Sequence, residues 1–315
     1  MKSSSNRAAV LLFSSIVGVT FFTATNAKAV TLTADYSGLG TVYQDAAGQL
    51  YTTAAAGRTD VTSLVESDIS TDFTYLQAAI TLQWNETIHF QLTDLTGQGA
   101  VADSAINDED ANGRPSDSTI RISTGFNDFV DSTPFNNSEF TMSTGVTALG
   151  GGQVNNKVFG DSTSLMASST YDFLTLMIHE TEHSLGISSG STRFVSLVGA
   201  PNATPGAPNR SLIISAGLSG LPSDYVIPIE ANSAHFPGSP VGNDPFGYAV
   251  VADPGWQYGQ RALPTALDIE AIGQIEGATS SQINLNYLAS VPEPTSLALV
   301  AIGAIGFLGL RRRSV

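Results

Sequence analysis

The chain of 315 residues contains no cysteine. An exported protein without cysteine has no disulfide staples and no thiol-switch propeptide, so its stability rests on core packing and bound metal. Zinc, if present, could be held only by His, Asp or Glu. Basic residues are scarce, 13 Lys and Arg against 28 Asp and Glu. Six of the basic residues (Lys2, Arg7, Lys28, Arg311, Arg312 and Arg313) and only one acid (Glu293) lie in the terminal segments, so the body carries 7 − 27 = −20 charges. That balance argues against nucleic acid or an anionic membrane surface as a partner. No apolar run reaches the ~20 residues of an ordinary membrane span. Histidine is rare too, at four. What is present is 42% apolar content, enough to bury one substantial core or two modest ones.

Both ends read as addresses. Residues 1–29 place Lys2 and Arg7 before an apolar run from Ala8 to about Phe22 and finish on Ala27-Lys28-Ala29, the order of a secretory signal peptide with cleavage after Ala29. A retained anchor is the alternative, but the run is short. Residues 291–315 read VPEPTSLALVAIGAIGFLGLRRRSV, with an uncharged stretch from Leu297 to Leu310, glycines at 303, 306 and 309, and an arginine cluster behind. A soluble core helix rarely tolerates three glycines and an abrupt basic stop. Arginines just past an apolar run stay cytoplasmic, leaving the body outside. From Val291 to Arg313 this resembles a PEP-CTERM tail. The resemblance implies export to the cell envelope or beyond, signal peptidase and an exosortase as processing partners, and transient membrane anchoring through a short transmembrane helix.

Between the addresses, residues 30–290 show no repeat of solenoid length and no long linker, so one domain of two lobes is the simplest parse. Phe73, Leu76, Ile80 and Trp84 give Thr71–Asn85 a helical period, while Ile88, Phe90 and Leu92 alternate as in a half-buried strand, with His89 on its other face. His89 is expected to be a surface or hydrogen-bonded residue. Ser118–Phe126 is a second strand candidate. The acidic stretch before it spaces Asp108, Asp110, Asn112 and Gly113 as a calcium loop opens, but Thr119 stands where the closing Glu belongs. Ca2+ here competes with a solvated turn.

The stretch HETEHSLGISSG at 179–190 follows an apolar segment, with Ser168, Ser169 or Thr170 to cap a helix, Asp172 in its first turn and Gly186 after its last. Phe173, Leu176, Met177 and Leu185 would bury its back. At ~100° per residue, His179 and His183 project from one helix face a turn apart, while Glu180 is rotated away from both and suits contact with a metal-bound water better than ligation. Composition alone would yield roughly 0.002 chance HExxH matches in such a chain, so accident explains little.

The stretch resembles the zincin motif of the metzincin metallopeptidases through Gly186. Their usual third ligand would fall at Ser189, a poor zinc ligand. Leishmanolysin-like members instead carry an insertion before a third histidine in a Ser-x-His-aromatic segment, which Ser233, His235 and Phe236 match. Tyr171-Asp172-Phe173 and LPTALDIEAIGQI, residues 263–275, extend the likeness over about residues 170–277. The resemblance implies an α+β zincin fold, a twisted mixed sheet with the active-site helix behind it and a smaller irregular C-terminal lobe. It implies one catalytic Zn2+ on His179, His183 and His235, Glu180 as general base, and protein or peptide substrates. The chain departs from the family in having no methionine after His235, so Val251 or Ala252 would fill the floor beneath the ion. Tyr248 or Tyr258 is a candidate oxyanion donor. Glu182 is expected to be solvated beside the cleft, and Asp268 to cap the closing helix or to support a ligand. The alternative of another class is a non-catalytic envelope or matrix protein with a structural or degenerate zinc site; a zincin hydrolase of non-peptide substrates is a third.

Overall fold

The computed structural model describes residues 30–149, 151–164, 167–204, 207–236 and 258–290; the two terminal segments and Tyr248, Val251 and Ala252 lie outside the described residues. The chain opens with β1 (Thr31–Asp35), a small sheet of β2 (Tyr43–Asp45), β3 (Leu50–Tyr51) and β4 (Arg58–Asp60), and the helix α1 (Thr62–Ala79). There follow β5 (Asn85–Thr93), the hairpin β6 (Ala102–Glu109) and β7 (Pro115–Ser123), and the short β8 (Asp128–Phe129). A long hairpin of β9 (Phe140–Ala148) and β10 (Gln153–Ser162) leads to β11 (Tyr171–Asp172) and α2 (Phe173–Ser184). The C-terminal part holds α3 (Thr192–Val198), β12 (Arg210–Ile214), α4 (Ala216–Ser219), β13 (Tyr225–Ile229), β14 (Gln260–Ala262), α5 (Ala266–Glu276) and α6 (Tyr287–Ser290). The architecture is mixed α+β.

The principal sheet has the order β1-β5-β7-β6, parallel across β1, β5 and β7 and antiparallel at the β6 edge. Register fixes its faces. Phe90 pairs with Ile120, which pairs with Ser104, so these three share a side with Ile88 and Ile122. That side is the core: Ile88, Phe90, Ile120 and Ile122 are fully buried, each contributing about 1.5–3 kcal/mol by leaving water. Phe73 of α1 packs on Phe90, and Ser184 at the end of α2 meets Ser104 hydroxyl to hydroxyl at 2.8 Å, so both helices lie on this face.

The opposite face stays wet, and His89 sits there as expected. Its Nδ1 lies 2.7 Å from Asp35 and its Nε2 2.9 Å from Asp117, which ties β1, β5 and β7 together. Carboxylates can only accept, so both ring nitrogens carry protons and the imidazolium is the stapling form. The hydrogen bonds it donates to Asp117 and then Asp35 raise the pKa of His89.

The bounds of two elements are corrected. The helix foreseen at Thr71–Asn85 begins nine residues earlier and ends at Ala79, because Ile80 turns extended to bridge Ile283 and the Trp84 carbonyl accepts from the Thr31 amide. The second strand is Pro115–Ser123, not Ser118–Phe126. The acidic stretch lies on the hairpin of β6 and β7. Asp108 pairs with Asp117 and Thr119 with Ala105 on the two strands, Asp110, Asn112 and Gly113 form the turn between them, and the Asp110 carboxylate is engaged by the amides of Asn112 and Arg114. The solvated turn is what forms.

One buried guanidinium joins the two halves. Arg261 of β14 grips Asp172 in a fork, Nε at 3.0 Å and Nη2 at 2.7 Å, and also reaches Asp131 at 2.9 Å. All three residues are at most 2% exposed. Removing the cation would strand two carboxylates in the interior, so Arg261→Met is expected to cost about 3–5 kcal/mol in denaturant unfolding; a loss below ~1 kcal/mol would show that the cluster does not hold the halves together. For His89 the sign is opposite to that of an acid whose pKa is depressed on folding. Its pKa is raised on folding, so its contribution is full below the ordinary 6.5 and is lost as pH rises through the folded value. The melting temperature of wild type minus that of His89→Gln should therefore be largest near pH 5–6 and shrink towards pH 9; a pH-independent difference would refute the staple.

Candidate metal centre

The helix that carries the motif is capped by Asp172, whose side chain accepts from the Thr175 amide at 3.1 Å, rather than by Ser168, Ser169 or Thr170. Asp172 extends backward as strand β11, and its second role on Arg261 leaves it no freedom to move. Phe173, Leu176, Met177 and Leu185 are buried as their spacing implies. Gly186 follows with φ +109°, and a Cβ there would lie 2.5 Å from Glu276 Oε1 and 3.3 Å from Ile275, so no other residue fits. This turn returns the chain over the helix end. The Ile187 carbonyl thereby comes within 2.6 Å of His183 Nδ1.

A carbonyl only accepts, so Nδ1 of His183 holds the proton and its Nε2 presents a lone pair. That Nε2 stands 3.2 Å from His179 Nε2 and 3.1 Å from His235 Nε2. The three ring nitrogens all lie within 4.8 Å of one another. His235 arrives from the loop after β13, 52 residues beyond His183. Tetrahedral zinc with Zn–N bonds of about 2.0–2.1 Å sets its nitrogens about 3.3 Å apart, so the spacing fits that ion. Burial, and then the charge of neighbouring His235, hold His183 down to about 3, and burial holds His235 down to about 4. Both rings are neutral at pH 7, the form in which an imidazole can hold a metal.

The trio lines a cleft of about 490 Å³ with Glu180, Tyr171, Ser188, Ser189 and the stretch Gly99–Ser104. Glu180 is 4% exposed and its Oε1 lies 4.0 Å from His179 Nε2. Burial, reinforced by the charge of Asp103, pushes its pKa up to about 8; a cation on the histidines would act in the opposite sense. Asp103 is itself forked by Arg121. Sequence reading missed Asp103 and the whole cleft-lining stretch, because a polar, small-residue segment carries no chemical signature until the sheet places it.

Glu182 is corrected: it is fully buried and does not line the cleft, and burial followed by the charges of Asp268 and Asp72 raises its pKa well above the usual carboxylate range. Asp268 serves in the capping box of α5, accepting from the Thr265 amide at 2.8 Å. Tyr258 is half exposed and packs on Tyr171 of the cleft wall, ring centroids 4.5 Å apart.

The purified protein is expected to bind one equivalent of zinc, and His235→Ala to weaken that binding by more than the ~10–100-fold typical of losing an outer hydrogen bond. Equal retention by the variant in a chelator competition would remove His235 from the ligand set.

No curated protein matches the chain. The PEP-CTERM protein-sorting motif matches residues 290–313. The body upstream of that match carries the histidine cluster, and the match says where the protein goes: it is exported to the cell envelope or extracellular space under a signal recognised for exosortase processing.

Proposed function

We propose that the protein is an exported zinc-dependent endopeptidase of the zincin type, with the ligand layout that resembles leishmanolysin-like metzincins. The observation that carries this reading is the approach of His179, His183 and His235 through their Nε2 atoms, at 3.2 and 3.1 Å, beside the buried carboxylate of Glu180. A structural zinc needs no such neighbour. Held by those three imidazoles, zinc would lower the pKa of a water to ~7 and polarise a carbonyl. Glu180 accepts the proton of the attacking water and passes it to the leaving amine nitrogen. The low exposure of Glu180 keeps bulk water from competing for that proton.

The cleft favours an extended chain as substrate. Strand β6 is the edge of the principal sheet, paired only with β7 among the described strands, and its first residues Ala102–Ser104 line the cleft. A free strand edge offers amide and carbonyl groups at the spacing of another peptide backbone. The lining there is of small residues, Gly99, Ala100 and Ala102, which lets a backbone approach closely. The mixed sheet with α2 on its inner face and the smaller C-terminal elements supports the zincin fold implied by the motif.

Casein or a peptide library is the test substrate. Cleavage should be abolished by a chelator, and Glu180→Gln should keep its zinc while losing about 10²–10⁴-fold in turnover. Turnover undiminished in that variant would sink the mechanism. A zinc-loaded wild type that cleaves no peptide would favour the non-catalytic envelope or matrix protein.

A further inference from the structure

The third ligand differs from the other two in how it is held. His179 and His183 are fixed by a helix, whereas His235 sits in a loop with no regular secondary structure. A ligand on a loop needs another source of order, because each freely rotating side chain loses affinity when it is immobilised.

That source is visible in the hydrogen bonds of residues 230–235. The loop closes on itself, the Glu230 amide donating to the His235 carbonyl at 2.8 Å. Arg210, at the start of β12, spans it: Nε donates to the Glu230 carbonyl at 3.1 Å, Nη2 to the Ser233 carbonyl, and Nη1 to the Gly199 carbonyl at 2.5 Å. One planar guanidinium thus satisfies three carbonyls from two loops, a task for which a lysine lacks the geometry. Inside the loop, the Ser233 hydroxyl donates to Glu230 Oε2 at 2.5 Å. It lies 3.1 Å from the His235 amide and 3.2 Å from His235 Nδ1.

Proton counting gives these contacts a direction. A hydroxyl has one proton, and an oxygen–oxygen separation of 2.5 Å to a carboxylate requires that proton between them. Ser233 Oγ then has only lone pairs to offer His235, so Nδ1 must be the protonated ring nitrogen. The tautomer that results leaves Nε2 bare, on the side where His183 Nε2 stands 3.1 Å away.

We infer that Glu230 and Ser233 are positioning residues for the metal centre: their carboxylate–hydroxyl–imidazole relay locks His235 in the Nδ1–H tautomer and aims its Nε2 at the ion, while Arg210 holds the loop that carries the relay. The inference rests on the metal-binding half of the proposed function and is independent of whether peptides are cleaved. Hydrogen bonding of this kind from behind a ligand fixes ring orientation and raises ligand basicity.

Two measurements on the full-length protein test it. In chelator-treated protein, long-range proton–nitrogen correlation spectra should show His235 as the Nδ1–H tautomer in wild type and in Ser233→Thr, and as a mixture or the Nε2–H form in Ser233→Ala. In zinc competition with a chelating dye, Ser233→Ala should bind about 10–100-fold more weakly than wild type, and Ser233→Thr should recover to within a few-fold. An Nε2–H His235 in the wild type overturns the relay, even if Ser233→Ala fails to fold. So does a Ser233→Ala variant that binds zinc as tightly as wild type. Tight zinc binding with the predicted tautomer but no peptide cleavage would leave the relay standing and remove the protease reading.

Discussion

The placement of the histidine helix depends on Asp172. Its carboxylate both ends the backbone of β11 as the cap of α2 and accepts the forked guanidinium of Arg261 from β14. Cap and ion pair share one side chain, so the first turn of the helix cannot shift without breaking a buried salt bridge. Two turns later the same rigid rod delivers His179 and His183 to the cleft. The other end is fixed by a different device, the positive φ of Gly186, which folds the Ile187 carbonyl back onto His183. The helix is thus held at both ends by groups that also touch the site or its scaffold.

The acidity of the chain takes on a different meaning once the acids are located. Asp68, Asp72, Glu86, Asp128, Glu182 and Glu276 are buried, and burial raises the pKa of each; for Asp72, Asp128 and Glu276 the value reaches about 8. Burial favours the protonated form of such groups: Asp72 accepts from the Thr181 hydroxyl at 2.5 Å and Glu86 from the Ser118 hydroxyl at 2.6 Å, whereas the carboxyl oxygens of Asp128, Glu182 and Glu276 meet no hydrogen-bond partner among the described residues. The formal charge of the body therefore overstates the field outside it. The interior around α1 and α2 thus holds carboxyl groups in places where many proteins of this size use hydrocarbon alone.

Those same acids explain what could be read in the sequence and what could not. The motif helix was legible because its chemistry, its cap region and its glycine are all local. His235 was legible only through a resemblance, since nothing in its neighbourhood announces a ligand. The first half of α1 was hidden because Asp68 and Asp72 occupy its buried face and interrupt the apolar period that begins at Val65 and Ile69. Glu182 was misplaced for a related reason: a glutamate on a helix is ordinarily a solvated residue, and only the packing of α1 against α2 shows that this side of the helix is interior. The cleft-lining stretch Gly99–Ser104 acquires its role from lying at the edge of a sheet, a property no single segment possesses.

The spacing of the three imidazoles has a mechanical consequence. An ion shared by His183 and His235 would close a loop of 52 residues in a chain that has no sulfur to close one. Tying such a loop restricts the unfolded ensemble much as a covalent bridge would, and the benefit grows with loop length. Unlike a bridge, it can be undone by a competing chelator or by acid. Outside the cell, where proteases and shear act on any segment that opens, the grip on the loop after β13 would then follow the supply of metal rather than the redox state of the surroundings.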